Sequence, residues 1–235
     1  MHHYDTPEYV KQAVMQRQGK SRANEVIDAA RAALVVVDMQ NYFVAEEVPT
    51  AVPVAREIVP NINRMAAAIR AAGGRVVWIQ TTATGAMERW ANYHNRMLTP
   101  ENAARRLKNL AEGSDGFKLY PKLAALPADI YVKKIKYSAM IPDSSNLNEV
   151  LVQNGLDTLL ITGTVTNTCC ESTARDASMF DYKVIMISDG NAGRRDELHA
   201  GALNNFQLYF GDVMTTDEAI ARLAPAAARK TAKGL

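Results

Sequence analysis

Both cysteines of the chain stand side by side in the stretch GTVTNTCCESTARDA, which covers residues 163–177. A thiol that follows a buried strand and begins a helix lies against unpaired backbone N–H groups at the positive helix end, and both favour the thiolate. Cys169 and Cys170 differ by about 100° around a helix, so only one of them can face the strand ends. The alternative for either is an inert thiol in the core, the usual place of a free cysteine. A disulfide between adjacent residues would strain the peptide that joins them.

Two further side chains with acid–base chemistry end predicted strands. Asp38 closes the apolar run ALVVVD, and Lys134 closes DIYVKK. An aspartate beside a thiol can accept its proton, and a fixed lysine stabilises either anion. Each residue alone also has an ordinary explanation, because Asp38 can cap the following turn and Lys134 can be a solvated charge.

The four histidines of the chain are poorly placed to act as the base. Two lie at the extreme N-terminus, His94 lies in a mixed segment, and His199 lies within a predicted helix. This distribution argues against a papain-like pair of cysteine and histidine.

Apolar runs alternate with amphipathic ones through most of the chain. Strands are predicted at 33–39, 75–81, 129–135, 157–164, 182–190 and 212–216. Helices are predicted at 55–74, 100–110, 145–155, 169–181, 196–211 and 216–223. This alternation predicts βαβ crossovers and a three-layer α/β/α, Rossmann-like fold with a mainly parallel six-stranded sheet in a single domain. We expect an N-terminal arm or helix at 1–30, the α/β domain at 31–224 and a mobile tail at 225–235.

The predicted sheet determines which side chains can meet. Ligands of open parallel sheets bind beyond the carboxyl ends of the strands. This rule places Asp38, Thr81, Lys134 and Cys169 along one edge of one sheet. An acid, a lysine and a thiol are therefore expected to lie close together.

Composition and patterning exclude several classes of protein. The 235 residues are 48% hydrophobic and 22% charged, with a net charge of +2, which is ordinary for a globular domain. No basic cluster with interleaved aromatics suggests a nucleic-acid partner. The apolar runs are far shorter than the roughly 20 residues that span a membrane. The N-terminus lacks a secretory signal, so a cytoplasmic protein with free thiols is expected. The turn DMQNYF has no glycine-rich phosphate loop, which argues against a dinucleotide oxidoreductase.

Three motifs together resemble the isochorismatase-like cysteine hydrolases over roughly residues 30–222. They are ALVVVDMQNYF, VKKIKYSAM and TGTVTNTCCESTARDA, in that order along the chain. The resemblance implies that Cys169 is the nucleophile, that Asp38 is its base, that Lys134 steadies the charges and that Cys170 is packing. It also implies a cis peptide between Thr164 and Val165, with the amides of Val165 and Cys169 forming an oxyanion hole.

The same resemblance implies a reaction. An intact set of aspartate, lysine and cysteine is typical of members that hydrolyse a C–N bond through a thioester and release ammonia or carbamate. The sequence looks most like ureidoacrylate and N-carbamoyl amidohydrolases. No histidine occurs in residues 41–57, where metal-binding members carry one, so neither a metal nor another cofactor is expected. Family members are commonly homo-oligomers, so we expect a dimer or tetramer that acts on a small molecule.

Substrate contacts are expected from the segment after the second strand, TTATGAMERWANYHNRM, and from the lysine motif. Aromatic side chains there can pack on a small planar substrate, and an arginine can bind a carboxylate. The candidates are Thr81, Arg89, Trp90, Tyr93, His94 and Tyr137. The alternative is that residues 82–127 form a lid or a subunit contact.

Two other functions compete with C–N hydrolysis. One is an isochorismatase-type vinyl-ether hydrolase, which would use Asp38 without covalent catalysis. The other is a binding module that keeps the fold without catalysis, and the intact Asp, Lys and Cys argue against it.

Overall fold

The computed structural model describes residues 1–46 and 48–225. Its helices are α1 (Glu8–Gln18), α2 (Asn41–Val44), α3 (Val54–Glu57), α4 (Val59–Ala71), α5 (Ala86–Arg89), α6 (Pro100–Asn109), α7 (Leu147–Gln153), α8 (Glu171–Met179), α9 (Asp196–Tyr209) and α10 (Thr216–Ala221). Its strands are β1 (Ile27–Asp28), β2 (Ala32–Val37), β3 (Arg75–Thr81), β4 (Ile130–Lys134), β5 (Thr158–Thr164), β6 (Lys183–Ala192), β7 (Asp212–Met214) and β8 (Leu223–Ala224). The tail predicted to be mobile falls, apart from residue 225, outside the described residues.

The main sheet has six parallel strands in the order β4-β3-β2-β5-β6-β7. This confirms the predicted parallel α/β sheet. A second, two-stranded sheet pairs β1 with β8 and ties the segment before β2 to the end of the described chain. Helix α1 packs on α9 and buries Val10 and Val14.

The apolar strand β2 explains the three layers. All six of its residues are buried, so both faces of the strand must be covered. Leu34 and Val36 contribute to one hydrophobic core, while Val35 and Val37 contribute to the other. Helices α4 and α10 cover the first face, and α7, α8 and α9 cover the second.

The chain changes direction across the sheet beside β2. From β2 it builds β3 and β4 on one side and then returns to build β5, β6 and β7 on the other. Such a switch point opens a crevice at the carboxyl ends of β2 and β5. Gly163 allows these two strands to approach there, because a Cβ on it would lie 2.1 Å from the Val37 carbonyl oxygen. Its φ of 115° also favours glycine.

Most predicted boundaries differ from the structure by a few residues, and three of the differences have a clear structural basis. The first strand ends at Val37 because Asp38 takes a left-handed φ of 52°. The helix predicted at 55–74 is divided into α3 and α4, with Pro60 in the first turn of α4. The helix predicted at 169–181 begins earlier, as a π-helical turn over Thr166–Cys170 that continues into α8. Within the described ranges, no helix has both the length and the apolar character needed to cross a membrane.

Candidate active site

Asp38, Thr81 and Lys134 form a buried polar cluster at the carboxyl ends of β2, β3 and β4. The Thr81 hydroxyl donates to Asp38 Oδ1 over 2.8 Å and accepts from Lys134 Nζ over 2.7 Å. Lys134 Nζ also lies 2.8 Å from Asp38 Oδ2, and both side chains are 1% exposed. Burial is costly for an ion pair unless its remaining groups are hydrogen-bonded, and Thr81 supplies such bonds to both ions.

Gln40 holds Thr81 in place and was missed at the sequence level. Its side-chain amide donates to the Thr81 carbonyl over 3.0 Å, and its carbonyl oxygen accepts from the Thr81 N–H over 2.7 Å. The same amide donates to the Phe117 carbonyl. The available sequence signal was the stretch DMQ, in which a glutamine follows the strand-ending aspartate by two residues. In the structure this glutamine is fully buried.

The π-helical turn Thr166–Cys170 brings the two cysteines into different surroundings. Cys169 is 7% exposed and lines a cavity, whereas Cys170 is fully buried in the core with its Sγ 3.9 Å from the Thr162 carbonyl oxygen. The peptide bond between Thr164 and Val165 is cis. The Val165 N–H has no hydrogen-bond acceptor among the described residues, so it is free to bind a ligand.

The electrostatics of the resting site differ from the expectation for a thiol at a helix start. Burial raises the pKa of Cys169 to about 12, and the lowering effect of Lys134 is opposed by the negative charge of Asp38. For Lys134, burial lowers the pKa, but the charges of Asp38 and Cys169 outweigh this and leave it raised. The resting state is therefore a neutral thiol beside a carboxylate–ammonium pair, and the thiol needs a base to react.

A cavity of about 300 Å³ opens in front of Cys169. Its walls come from the segment after β2, from α6 and the turn before it, from the lysine motif and from the loop after β6. The lining residues are Tyr42, Phe43, Thr50, Tyr93, Leu98, Asn102, Arg105, Arg106, Tyr137, Val165, Thr168, Cys169 and Arg194. This size is suited to a small molecule.

Four of the predicted substrate residues gather as one aromatic cluster beside this cavity. Trp90 stacks on Tyr93 with ring centroids 4.0 Å apart, and Tyr137 meets both rings edge-on. Tyr93 and Tyr137 line the cavity, while Trp90 packs behind Tyr93. His94 is buried, with its Nδ1 3.1 Å from the Trp90 carbonyl oxygen. Burial, followed by contact with Tyr93, raises the pKa of Tyr137, so its hydroxyl remains a hydrogen-bond donor.

The structure places Arg89 and Thr81 differently from the prediction. Arg89 lines a separate surface cavity with Glu112 and Lys133, because α5 directs it away from Cys169. Thr81 is 1% exposed and contacts the charged pair instead of the cavity. Three arginines that the sequence did not single out line the cavity: Arg105, Arg106 and Arg194. The signal for two of them was the adjacent pair in PENAARRLKN, a strongly amphipathic helix.

Fold and site together define a parallel α/β enzyme with a buried aspartate, lysine and cysteine at the switch point of its sheet. Comparison with known proteins gives the family. The isochorismatase domain matches residues 32–218, and the chain belongs to this family of hydrolases.

Two named relatives cover most of the chain. The ureidoacrylate amidohydrolase RutB of Variovorax paradoxus is 33% identical over 86% of this chain and 85% of its own length. The enzyme of the same name from Klebsiella pneumoniae is 32% identical over 86% of this chain and 91% of its own.

Solved structures show the same fold. A cysteine hydrolase from Pseudomonas syringae pv. phaseolicola superposes with a TM-score of 0.74 at 30% identity, covering 83% of this chain and 93% of that one. N-carbamoylsarcosine amidase from Thermoplasma acidophilum superposes with a TM-score of 0.61 at 25% identity, covering 80% and 97%.

Proposed function

We propose that this protein hydrolyses a C–N bond of a small ureido or carbamoyl acid through a thioester on Cys169. The observation that carries the proposal is that Asp38, Lys134 and Cys169 come together at one end of a cavity of small-molecule size. The relatives named as ureidoacrylate amidohydrolases and as N-carbamoylsarcosine amidase support the same bond type.

Asp38 is the proposed general base for the first step. Its Oδ1 accepts from Thr81, while its Oδ2 contacts Lys134 without the angular geometry of a hydrogen bond and has no donor among the described residues. Oδ2 can therefore take the Cys169 proton as the sulfur bonds to the ureido carbonyl carbon. Lys134 keeps its positive charge throughout and offsets the negative charge that moves between carboxylate and sulfur.

The tetrahedral intermediate places a negative charge on the former carbonyl oxygen. The N–H groups of Val165 and Cys169 are the proposed donors to this oxyanion, a type of contact that typically contributes about 3–4 kcal/mol to catalysis. Asp38 returns its proton to the departing nitrogen, and ammonia leaves as the C–N bond breaks. Water, deprotonated by Asp38, then attacks the carbonyl carbon of the S-carbamoyl thioester. The C–S bond breaks, the carbamate is released, and Asp38 returns the proton to the Cys169 sulfur.

The charge of the cavity favours a substrate with a carboxylate. Three arginines line it, and among the described lining residues none is acidic. Arg105 donates to Asn102, and Arg194 donates to the Thr50 carbonyl. The Arg106 side chain forms no ion pair or hydrogen bond with the described residues, and its guanidinium lies 5.6 Å from the Tyr93 ring centroid. We assign Arg106 as the principal carboxylate ligand, since a guanidinium binds carboxylate in a bidentate manner.

An ammonia-release assay over ureido acids and their neutral carboxamides tests both parts of the proposal. Wild-type protein should release ammonia from the acids, Cys169→Ala should release none, and Cys170→Ser should keep most of the activity. Arg106→Gln should raise KM for the acids about 10-fold or more and leave the neutral analogues nearly unchanged. Retained ammonia release by Cys169→Ala would contradict covalent catalysis by Cys169, and cleavage of a vinyl ether by that variant would favour the competing vinyl-ether hydrolase. Equal losses for acids and neutral analogues would contradict the role of Arg106.

A further inference from the structure

His199, in the first turn of α9, contacts the nucleophile turn from its buried side. Its Nδ1 lies 2.9 Å from the Thr166 hydroxyl oxygen, and Thr166 and His199 are 0% and 1% exposed. Thr166 begins the turn Thr166–Cys170 and directly follows Val165. This is a hydrogen bond between a separate helix and the segment that carries both the proposed nucleophile and a proposed oxyanion donor.

His2 stacks on one face of the His199 ring. The two imidazoles stack with centroids 4.3 Å apart and an interplanar angle of 23°. His2 Nε2 accepts from the Gly193 N–H over 2.9 Å, and Nδ1 pairs with Asp196 at the start of α9. Tyr4 packs edge-on against His199. These contacts hold His199 between the N-terminal segment and the nucleophile turn.

The surroundings of His199 keep its ring neutral and restrict what it can do. Burial is the largest cause that lowers its pKa to about 4. Its Nε2 has no hydrogen-bond partner among the residues described. Because the ring reaches Thr166 and not Cys169, it is not placed to take the thiol proton. Its one polar contact fixes the direction of the Thr166 side chain.

We propose that His199, braced by His2, is a positioning residue that sets the orientation of the Thr166–Cys170 turn for catalysis. This inference rests on the proposed role of Cys169 as nucleophile. A displacement of about 1 Å in a reacting group can reduce turnover by about 100-fold. The Thr166–His199 hydrogen bond resists such a displacement at the residue next to the cis peptide.

Paired variants separate the hydrogen bond from simple packing. In His199→Asn the side-chain amide can occupy the position of Nδ1, whereas in His199→Gln it reaches the position of Nε2. Likewise, Thr166→Ser keeps the hydroxyl that Thr166→Val removes at nearly constant volume. We expect the Gln and Val variants to lose about 10- to 100-fold in kcat with KM within about twofold of wild type. The Asn and Ser variants should stay within about threefold in kcat.

The rate of Cys169 alkylation by iodoacetamide is the second readout, because a merely structural role for His199 would lower Tm without changing that rate. We expect slower alkylation in His199→Gln and Thr166→Val, and in His2→Ala to a smaller extent. The double variant His199→Gln/Thr166→Val should be no slower than the worse single variant, since both remove the same bond. If His199→Gln does not fold, Thr166→Val against Thr166→Ser decides the question.

Two outcomes are kept apart by the Cys169→Ala reference. The positioning role would be overturned if Thr166→Val and His199→Gln kept the kcat and alkylation rate of the wild type while Cys169→Ala was inactive. That result would leave the proposed function intact. An active Cys169→Ala variant would instead overturn the proposed function, on which the positioning role depends.

Discussion

Replacing Thr81 by valine removes a hydroxyl that hydrogen-bonds to both members of the buried ion pair. Its hydroxyl oxygen is 2.8 Å from Asp38 Oδ1 and 2.7 Å from Lys134 Nζ. Hydrogen bonds to charged groups contribute about 1.5–3 kcal/mol each, so losing both would cost about 3–6 kcal/mol. Lys134 retains Asp38 at 2.8 Å and the Lys136 carbonyl at 3.2 Å, which favours the lower end of that range. We expect Thr81→Val to lower the free energy of unfolding by about 3 kcal/mol.

The same change should also affect turnover. With Oδ1 unbonded, the Asp38 carboxylate is free to rotate away from Cys169, and kcat should fall by about 100-fold. Urea unfolding measures the first effect and ammonia release the second, with Thr81→Ser as the matched control. If Thr81→Val matches Thr81→Ser in both assays, the hydroxyl does not organise the pair and the reasoning is refuted.

Three further predictions concern the scaffold of the site. Gly163→Ala should destabilise the fold by more than about 3 kcal/mol, because its Cβ would overlap the Val37 carbonyl; urea unfolding within about 0.5 kcal/mol of wild type would contradict this. His199 has a pKa of about 4 in the folded protein, below its ordinary value near 6.5, so the unfolded chain takes up its proton first and stability should fall by about 3 kcal/mol from pH 6.5 to 4. His199→Asn should reduce the loss of stability between pH 6.5 and 4, and an unchanged loss in this variant would show that His199 does not cause it. Asp129→Asn should lower Tm, because Asp129 accepts from Trp78 Nε1 over 2.8 Å and pairs with Arg70; an unaltered Tm would show that these contacts contribute little.

The parallel sheet and its edge could be predicted because they follow from the short-range pattern of apolar residues along the chain. A six-residue apolar run such as β2 must be buried on both faces, and a parallel sheet brings the carboxyl ends of its strands to one edge. Asp38 directly follows β2, Lys134 ends β4, and Cys169 lies in the turn that follows β5. Their proximity is therefore a consequence of topology, and their sequence positions were sufficient to propose it.

The cavity walls could not be predicted in the same way. Arg106 lies on a surface helix and Arg194 in a loop, and the placement of either over the sheet edge depends on tertiary packing that no periodicity encodes. Arg89 and Arg106 are both arginines within the same long segment after β3. Only the path of the chain after α5 decides that Arg106, and not Arg89, lies beside Tyr93.

The protonation state of the Cys169 thiol could not be predicted from the sequence either. A helix-start position favours the thiolate, but the depth at which Cys169 is buried follows from the complete fold. Desolvation is the largest influence on it and raises its pKa. The contact of His2 with His199 joins residues 197 positions apart, and its only sequence signal was the presence of two rare histidines.

Mass spectrometry of the protein quenched in acid during turnover of a ureido acid tests the central claim most directly. Trypsin leaves both cysteines in one peptide, residues 137–175, so the site must be assigned with variants. The account predicts an acyl adduct on this peptide in wild type and in Cys170→Ser, and none in Cys169→Ala, which should also be inactive. An adduct that persists in Cys169→Ala, or turnover by that variant without any adduct, would contradict the assignment of Cys169 as the nucleophile.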